Sequence, residues 1–176
     1  MKSRIAVSIC SLFLLACTTT GNPANSSKTY FDFDGFFKKQ AVRLQSRNPL
    51  VNKTATTNSE TESKSLQIDN WEKELELFWK ADINKPAWKE SYQISLIGST
   101  ISYLAIDSAL KTRKIRIEQD SNGKPSHIYI LNEVSNELYS STEELDYFPD
   151  SLYSIKKTQK ILFLDESNYL IRGSIQ

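Results

Sequence analysis

Cysteine is nearly missing from this 176-residue chain: Cys10 and Cys17 are the only two. From Thr18 onward no disulfide, thiolate nucleophile or cysteine-ligated metal can be built. Histidine is scarcer still, with His127 alone. A zinc site or a Ser–His–Asp relay would have to be assembled around that one ring. Five glycines are too few for a glycine-rich phosphate loop, and no Gly-x-Ser-x-Gly elbow occurs. A charge excess is absent too: 22 Lys and Arg stand against 21 Asp and Glu, with no block of either sign. Nucleic acid is therefore not an expected partner. No apolar run approaches the roughly 20 residues that span a bilayer.

The N-terminus carries the strongest signal. Lys2 and Arg4 precede a largely apolar stretch from Ile5 to Ala16, which closes on Leu14-Leu15-Ala16-Cys17. Charge, short apolar core and small residue fall in the order of a secretory signal. The closing tetrapeptide resembles the lipobox of bacterial lipoproteins. That resemblance implies cleavage before Cys17, a diacylglyceryl thioether on its sulfur and acylation of the new amine. Two or three acyl chains anchor a protein stably, where one does not. Residues 1–16 then form the signal peptide, 17–28 the lipidated cysteine and a polar tether, and 29–176 one domain.

Sorting follows from the same resemblance. Proteobacterial lipoproteins kept in the inner membrane carry Asp after the cysteine, and here that position is Thr18. Surface-exported lipoproteins of Bacteroidota carry an acidic cluster there, and no acid occurs before Asp32. Both comparisons imply the outer membrane, facing the periplasm. The later order of amphipathic helix, Trp-rich helix ending in Asp82-Ile83-Asn84-Lys85-Pro86-Ala87-Trp88 and strand series is also similar to uncharacterised lipoproteins of Bacteroidota.

Asp32 to Arg47 reads as a helix. Phe33, Phe36, Phe37, Ala41 and Leu44 form one apolar stripe, Asp32 serves as N-cap, and Asn48-Pro49 ends the run. The stripe suits either a membrane interface or packing on a sheet. Pro49 to Ser65 reads as a polar loop or as an exposed hairpin turning at Asn58-Ser59. A second helix is expected over Asp69–Asp82, with Asp69 and Glu72 as a capping box and Trp71, Leu75, Phe78 and Trp79 on one face. After Pro86, seven alternating segments follow in series. Asn122-Gly123 is the clearest turn and is expected to be type I′. The whole predicts an α+β fold, a curved antiparallel meander of about six to seven strands covered by two N-terminal amphipathic helices.

Little in this pattern carries chemistry. His127 reads first as a surface histidine beside a turn. Glu143, Glu144 and Asp146 form the densest acidic group, with Glu144 and Asp146 sharing a strand face. Asp165-Glu166-Ser167-Asn168 lacks the glycine and distal glutamate of a calcium loop and reads as a turn. Aromatics are the surplus. Trp71, Trp79, Trp88, Tyr103 and Tyr129 would either fill the core or line a concavity for an apolar ligand.

The expected protein is a non-enzymatic lipoprotein with a binding or envelope-assembly role and no metal or cofactor. Its expected partners are the membrane, through the lipid on Cys17, and either another envelope protein or an apolar ligand. A carrier of a small apolar ligand or lipid stands second. An envelope hydrolase stands third, since it would need two or more polar groups converging in a cleft.

Overall fold

The computed structural model describes residues 28–176, so the lipobox, Cys17 and nearly all of the tether lie outside the described residues. The elements in chain order are α1 (Phe33–Arg47), β1 (Leu50–Thr57), β2 (Glu60–Gln67), α2 (Trp71–Glu74), α3 (Glu76–Trp79), β3 (Tyr92–Ile97), β4 (Thr100–Ala105), β5 (Thr112–Gln119), β6 (Pro125–Ser135), β7 (Tyr139–Phe148), β8 (Leu152–Ile161) and β9 (Ser167–Ile175). All nine strands join one sheet in the order β2-β1-β9-β8-β7-β6-β5-β4-β3. Every neighbouring pair is antiparallel.

β3 to β9 are the expected meander. The strand number exceeds the expectation because residues 50–67 form a hairpin, β1–β2, which β9 accepts as its neighbour. Sequence alternation could not decide this. Val51 is buried and Leu66 half-buried, Leu50 and Ala55 are exposed, and the rest of the hairpin is polar. Its cross-strand ties are hydroxyl pairs, Thr54 with Ser63 at 3.2 Å and Thr56 with Thr61 at 2.9 Å. Of the two edge strands, β2 and β3, β2 shows charged and hydroxyl side chains to solvent, which protects that edge from pairing with another chain. The hairpin also separates α1 from α2 and α3, so the helices are not one N-terminal block as expected.

α1 forms where the pattern placed it. Asp32 accepts a bond from Gly35 N at 2.7 Å, and Asn48 closes the helix in the left-handed region. Arg43 and Arg47 reach Asp150 in the β7–β8 turn at 2.6 and 3.0 Å, fixing the helix end to the sheet. The second helix departs from expectation: it breaks at Leu75 into α2 and α3, and Asn70 rather than Asp69 caps it, accepting from Lys73 N at 2.9 Å. Trp71, Leu75 and Phe78 still point inward, because their spacing keeps them on one side of both turns.

Helices pack on one sheet face only. Phe37 contacts Tyr147 and Phe78 at ring-centroid distances of 5.1 and 5.3 Å, and Trp71 meets Tyr153 edge-on at 6.3 Å. Ile115, Ile117, Ile128, Ile130 and Leu145 complete a floor that is fully buried. The apolar stripe of α1 is therefore a sheet-packing face. Alternation then sends His127, Tyr129, Glu144 and Asp146 to the opposite face.

The Asn122-Gly123 hairpin joins β5 to β6 as expected but by another turn. Gly123 has φ +73°, whereas Asn122 is not among the residues of positive φ. Type I′ needs both. Instead Gly123 N bonds Asp120 O at 3.0 Å, and the Asp120 carboxylate accepts from the N–H groups of Asn122 and Lys124. This is a type I turn followed by a left-handed glycine, with a register shift at Glu118/Gln119 beside it.

Candidate functional site

β5, β6 and β7 bring the sole histidine between two carboxylates. Glu118 lies opposite His127 in the β5–β6 register, and Asp146 lies diagonal to it on β7. His127 Nε2 is 2.8 Å from Asp146 Oδ1, and Nδ1 is 3.5 Å from Glu118 Oε1. The imidazole stacks flat on Phe148 with centroids 4.1 Å apart, leaving His127 only 9% exposed. So the residue expected at the surface is a wedge within the outer face. Nε2 is hydrogen-bonded to Asp146, while Nδ1 faces Glu118 beyond good hydrogen-bond distance.

The rest of this face is a lattice of paired charges. Glu144 accepts from Lys156 Nζ at 2.9 Å and from Tyr129 OH at 3.4 Å. Burial, then the Glu144 carboxylate beside it, raises the Tyr129 phenol above its usual range. Arg116 sits 3.3 Å from Glu118 and lies over the Tyr129 ring at 5.6 Å. Glu144 and Asp146 do share a face, yet each carboxylate has its own basic neighbour. Among the described residues no group of three or more His, Cys, Asp and Glu is arranged to hold a metal ion.

The five aromatics divide between places. Trp71 is fully buried and Tyr103 nearly so, the latter accepting from Phe31 N at 3.2 Å where the chain enters the domain. Trp79 is half-buried, and its indole N–H reaches Glu72 O at 3.4 Å. Trp88 is half-buried in a short 3₁₀ turn, with Lys85 Nζ 4.0 Å from its ring centroid. Tyr129 stands on the far side of the sheet from the other four.

Two polar arrangements, one part-buried and one buried, escaped sequence reading. Lys53 Nζ and Tyr153 OH both reach Glu74 Oε1, the lysine at 2.6 Å, which ties β1 and β8 to α2. On the inner face, Asn132 donates to Glu143 Oε2 at 2.9 Å, both residues being less than 9% exposed, while Asn132 Oδ1 has no partner. The signal for that pair was phase: Asn132 follows Ile128 and Ile130 on the inward register, and Glu143 precedes Leu145 and Tyr147 on theirs.

No protein-family model matches the chain, and no curated protein or solved structure is significantly similar to it.

Proposed function

We propose that this protein is a bacterial outer-membrane lipoprotein, anchored through Cys17 and facing the periplasm, that binds an envelope partner without catalysing a reaction. The observation that carries the reading is Leu14-Leu15-Ala16-Cys17 after a charged, apolar leader, followed by a short polar stretch before the folded domain. The hydrolase alternative is disfavoured by the placement of the one histidine, clamped between Glu118 and Asp146 with no hydroxyl at either ring nitrogen. The carrier alternative needs a shared cavity between sheet and helices, and Tyr129 lies on the opposite sheet face from Trp71, Trp79, Trp88 and Tyr103. A binding role for the domain surface is left as the reading that asks least of the geometry.

Fractionation tests it. The full chain should sediment with outer membranes and be released by detergent, not by high salt. Cys17→Ser should abolish processing at that position. A wild-type chain recovered in the soluble periplasmic fraction would contradict the proposal.

A further inference from the structure

The β8–β9 hairpin ends in four consecutive apolar residues, Ile161-Leu162-Phe163-Leu164. Their exposures run from 38% at Ile161 to 95% at Phe163. Leu138, in the neighbouring β6–β7 loop, is 64% exposed and is tied to this tip by a bond from Leu162 N to its carbonyl at 2.9 Å. The tip is also conformationally unusual. Leu164 N bonds Ile161 O at 3.0 Å, closing a four-residue turn in which Phe163 has φ +67°. Glycine or asparagine normally takes that position, since a bulky side chain opposes positive φ. The fold thus holds a phenylalanine in water at the apex of a turn that disfavours it.

The tip lies at the end of the sheet where the chain enters. Tyr30 packs on Tyr92 at the start of β3, with centroids 5.6 Å apart. Tyr92 OH bonds Thr112 O at the start of β5, and Thr112 pairs with Asn132 in the second half of β6. From there β6 runs to Ser135 opposite Ser140, and Tyr139 stands opposite Ile161. Eleven peptide units separate Cys17 from Lys28, a reach of at most about 40 Å. A bilayer holding Cys17 is therefore within reach of this end.

We infer that Leu162, Phe163 and Leu164, with Leu138, insert into the bilayer that anchors Cys17 and dock the sheet end-on against it. This rests on the lipoprotein reading for the identity of the bilayer. Lys160 on one side and Glu137, Asp165 and Glu166 on the other give the tip no cationic excess. The contact is consequently apolar: it needs no anionic lipid and survives high salt. A second, weak attachment of this kind complements acyl chains by fixing orientation.

The test uses the chain from residue 17 with Cys17→Ser, which bears no lipid and no cysteine. Among the described residues the core cluster runs from Tyr30 to Ile175, and a melting curve of this chain checks that it is folded before vesicles are added. This chain should float with phosphatidylcholine vesicles at low and at high salt. The triple change Leu162→Ser, Phe163→Ser, Leu164→Ser should weaken partitioning about 100-fold or more. Phe163→Gly relieves the turn while deleting the ring, so it should weaken binding with the melting temperature unchanged or raised. Phe163→Cys carrying an environment-sensitive dye should shift to the blue on vesicles, whereas the same dye at Asn122, on the opposite end of the sheet, should not. Absent flotation, equal flotation of the triple variant, or a tip-dependent dimer in place of vesicle binding would each overturn the inference. The mass of the native N-terminus decides the anchor separately.

Discussion

The Tyr153 ring lies directly across Gly173, its partner in the β8–β9 register. A Cβ built on Gly173 would fall 2.1 Å from Tyr153 Cζ. The glycine is what lets the ring lie flat on the neighbouring strand, meet Trp71 edge-on and send its hydroxyl to Glu74. Gly173→Ala should destabilise the domain by about 3 kcal/mol, because the ring is fully buried and its hydroxyl is held. Tyr153→Phe should cost about 1–2 kcal/mol by removing a hydrogen bond to a carboxylate. Urea denaturation checks both, and an unchanged midpoint for Gly173→Ala would mean that the ring has another place to go.

The two tryptophans of the broken second helix should differ. Trp71 is wholly buried, so Trp71→Ala should cost about 3–5 kcal/mol. Trp79 is half-buried and held by one long hydrogen bond, so Trp79→Ala should cost distinctly less. Thermal melts of the pair rank them, and the reverse order would refute this packing.

At the β5–β6 turn, Gly123→Val should destabilise by about 1–2 kcal/mol because Gly123 holds positive φ. Asn122→Ala should be nearly neutral, since Asn122 does not share that conformation. A type I′ turn would make both substitutions costly, which chemical denaturation distinguishes.

Alkali should unfold the domain through its buried phenols. Burial pushes Tyr92 up to about 12, and burial likewise raises Tyr147 and Tyr153 above the ordinary range. A phenol whose folded pKa is raised contributes stability that is intact below its unfolded value near 10. That contribution is lost as pH climbs through the folded value. Stability should therefore be flat toward pH 10 and fall steeply above it. Phenolate absorbance should rise together with loss of the fold. Early titration of all tyrosines in a folded protein would contradict the burial described.

His127→Ala should leave no measured activity or metal content altered, but its stability cost should exceed a surface effect. The substitution removes the stack on Phe148 and leaves Asp146 without its ring partner. A stability difference of about 1–2 kcal/mol by denaturant titration is expected, and loss of a catalytic activity in the variant would overturn the non-enzymatic reading.

The meander was legible because its strands alternate against a buried face: Ile115 and Ile117 on β5, Ile128 and Ile130 on β6, Leu145 and Tyr147 on β7. α1 was legible from its phenylalanine stripe and its cap. The β1–β2 hairpin was legible only as one of two readings, loop or hairpin, with the Asn58-Ser59 turn rightly placed, since a polar edge ribbon is specified by its ladder to β9 rather than by side-chain burial. His127 illustrates the limit at the candidate site. Its sequence neighbours suggested a surface turn, while Glu118 and Asp146 come from strands nine residues before and 19 residues after it, joined only by register. Strand phase puts Asp146 and Glu144 on one face but does not say which of them meets the ring. The stack on Phe148 had no sequence signal. Nor did the exposed tip at Phe163, whose apolar run reads as the end of a strand until the turn places it in solvent.

The anchor is the central claim, and intact mass spectrometry of the native protein's mature N-terminus tests it most directly. The account predicts a chain beginning at Cys17 with a diacylglyceryl thioether, with or without an acylated amine. A mature chain that begins elsewhere, or that retains an unmodified Cys17, would contradict it.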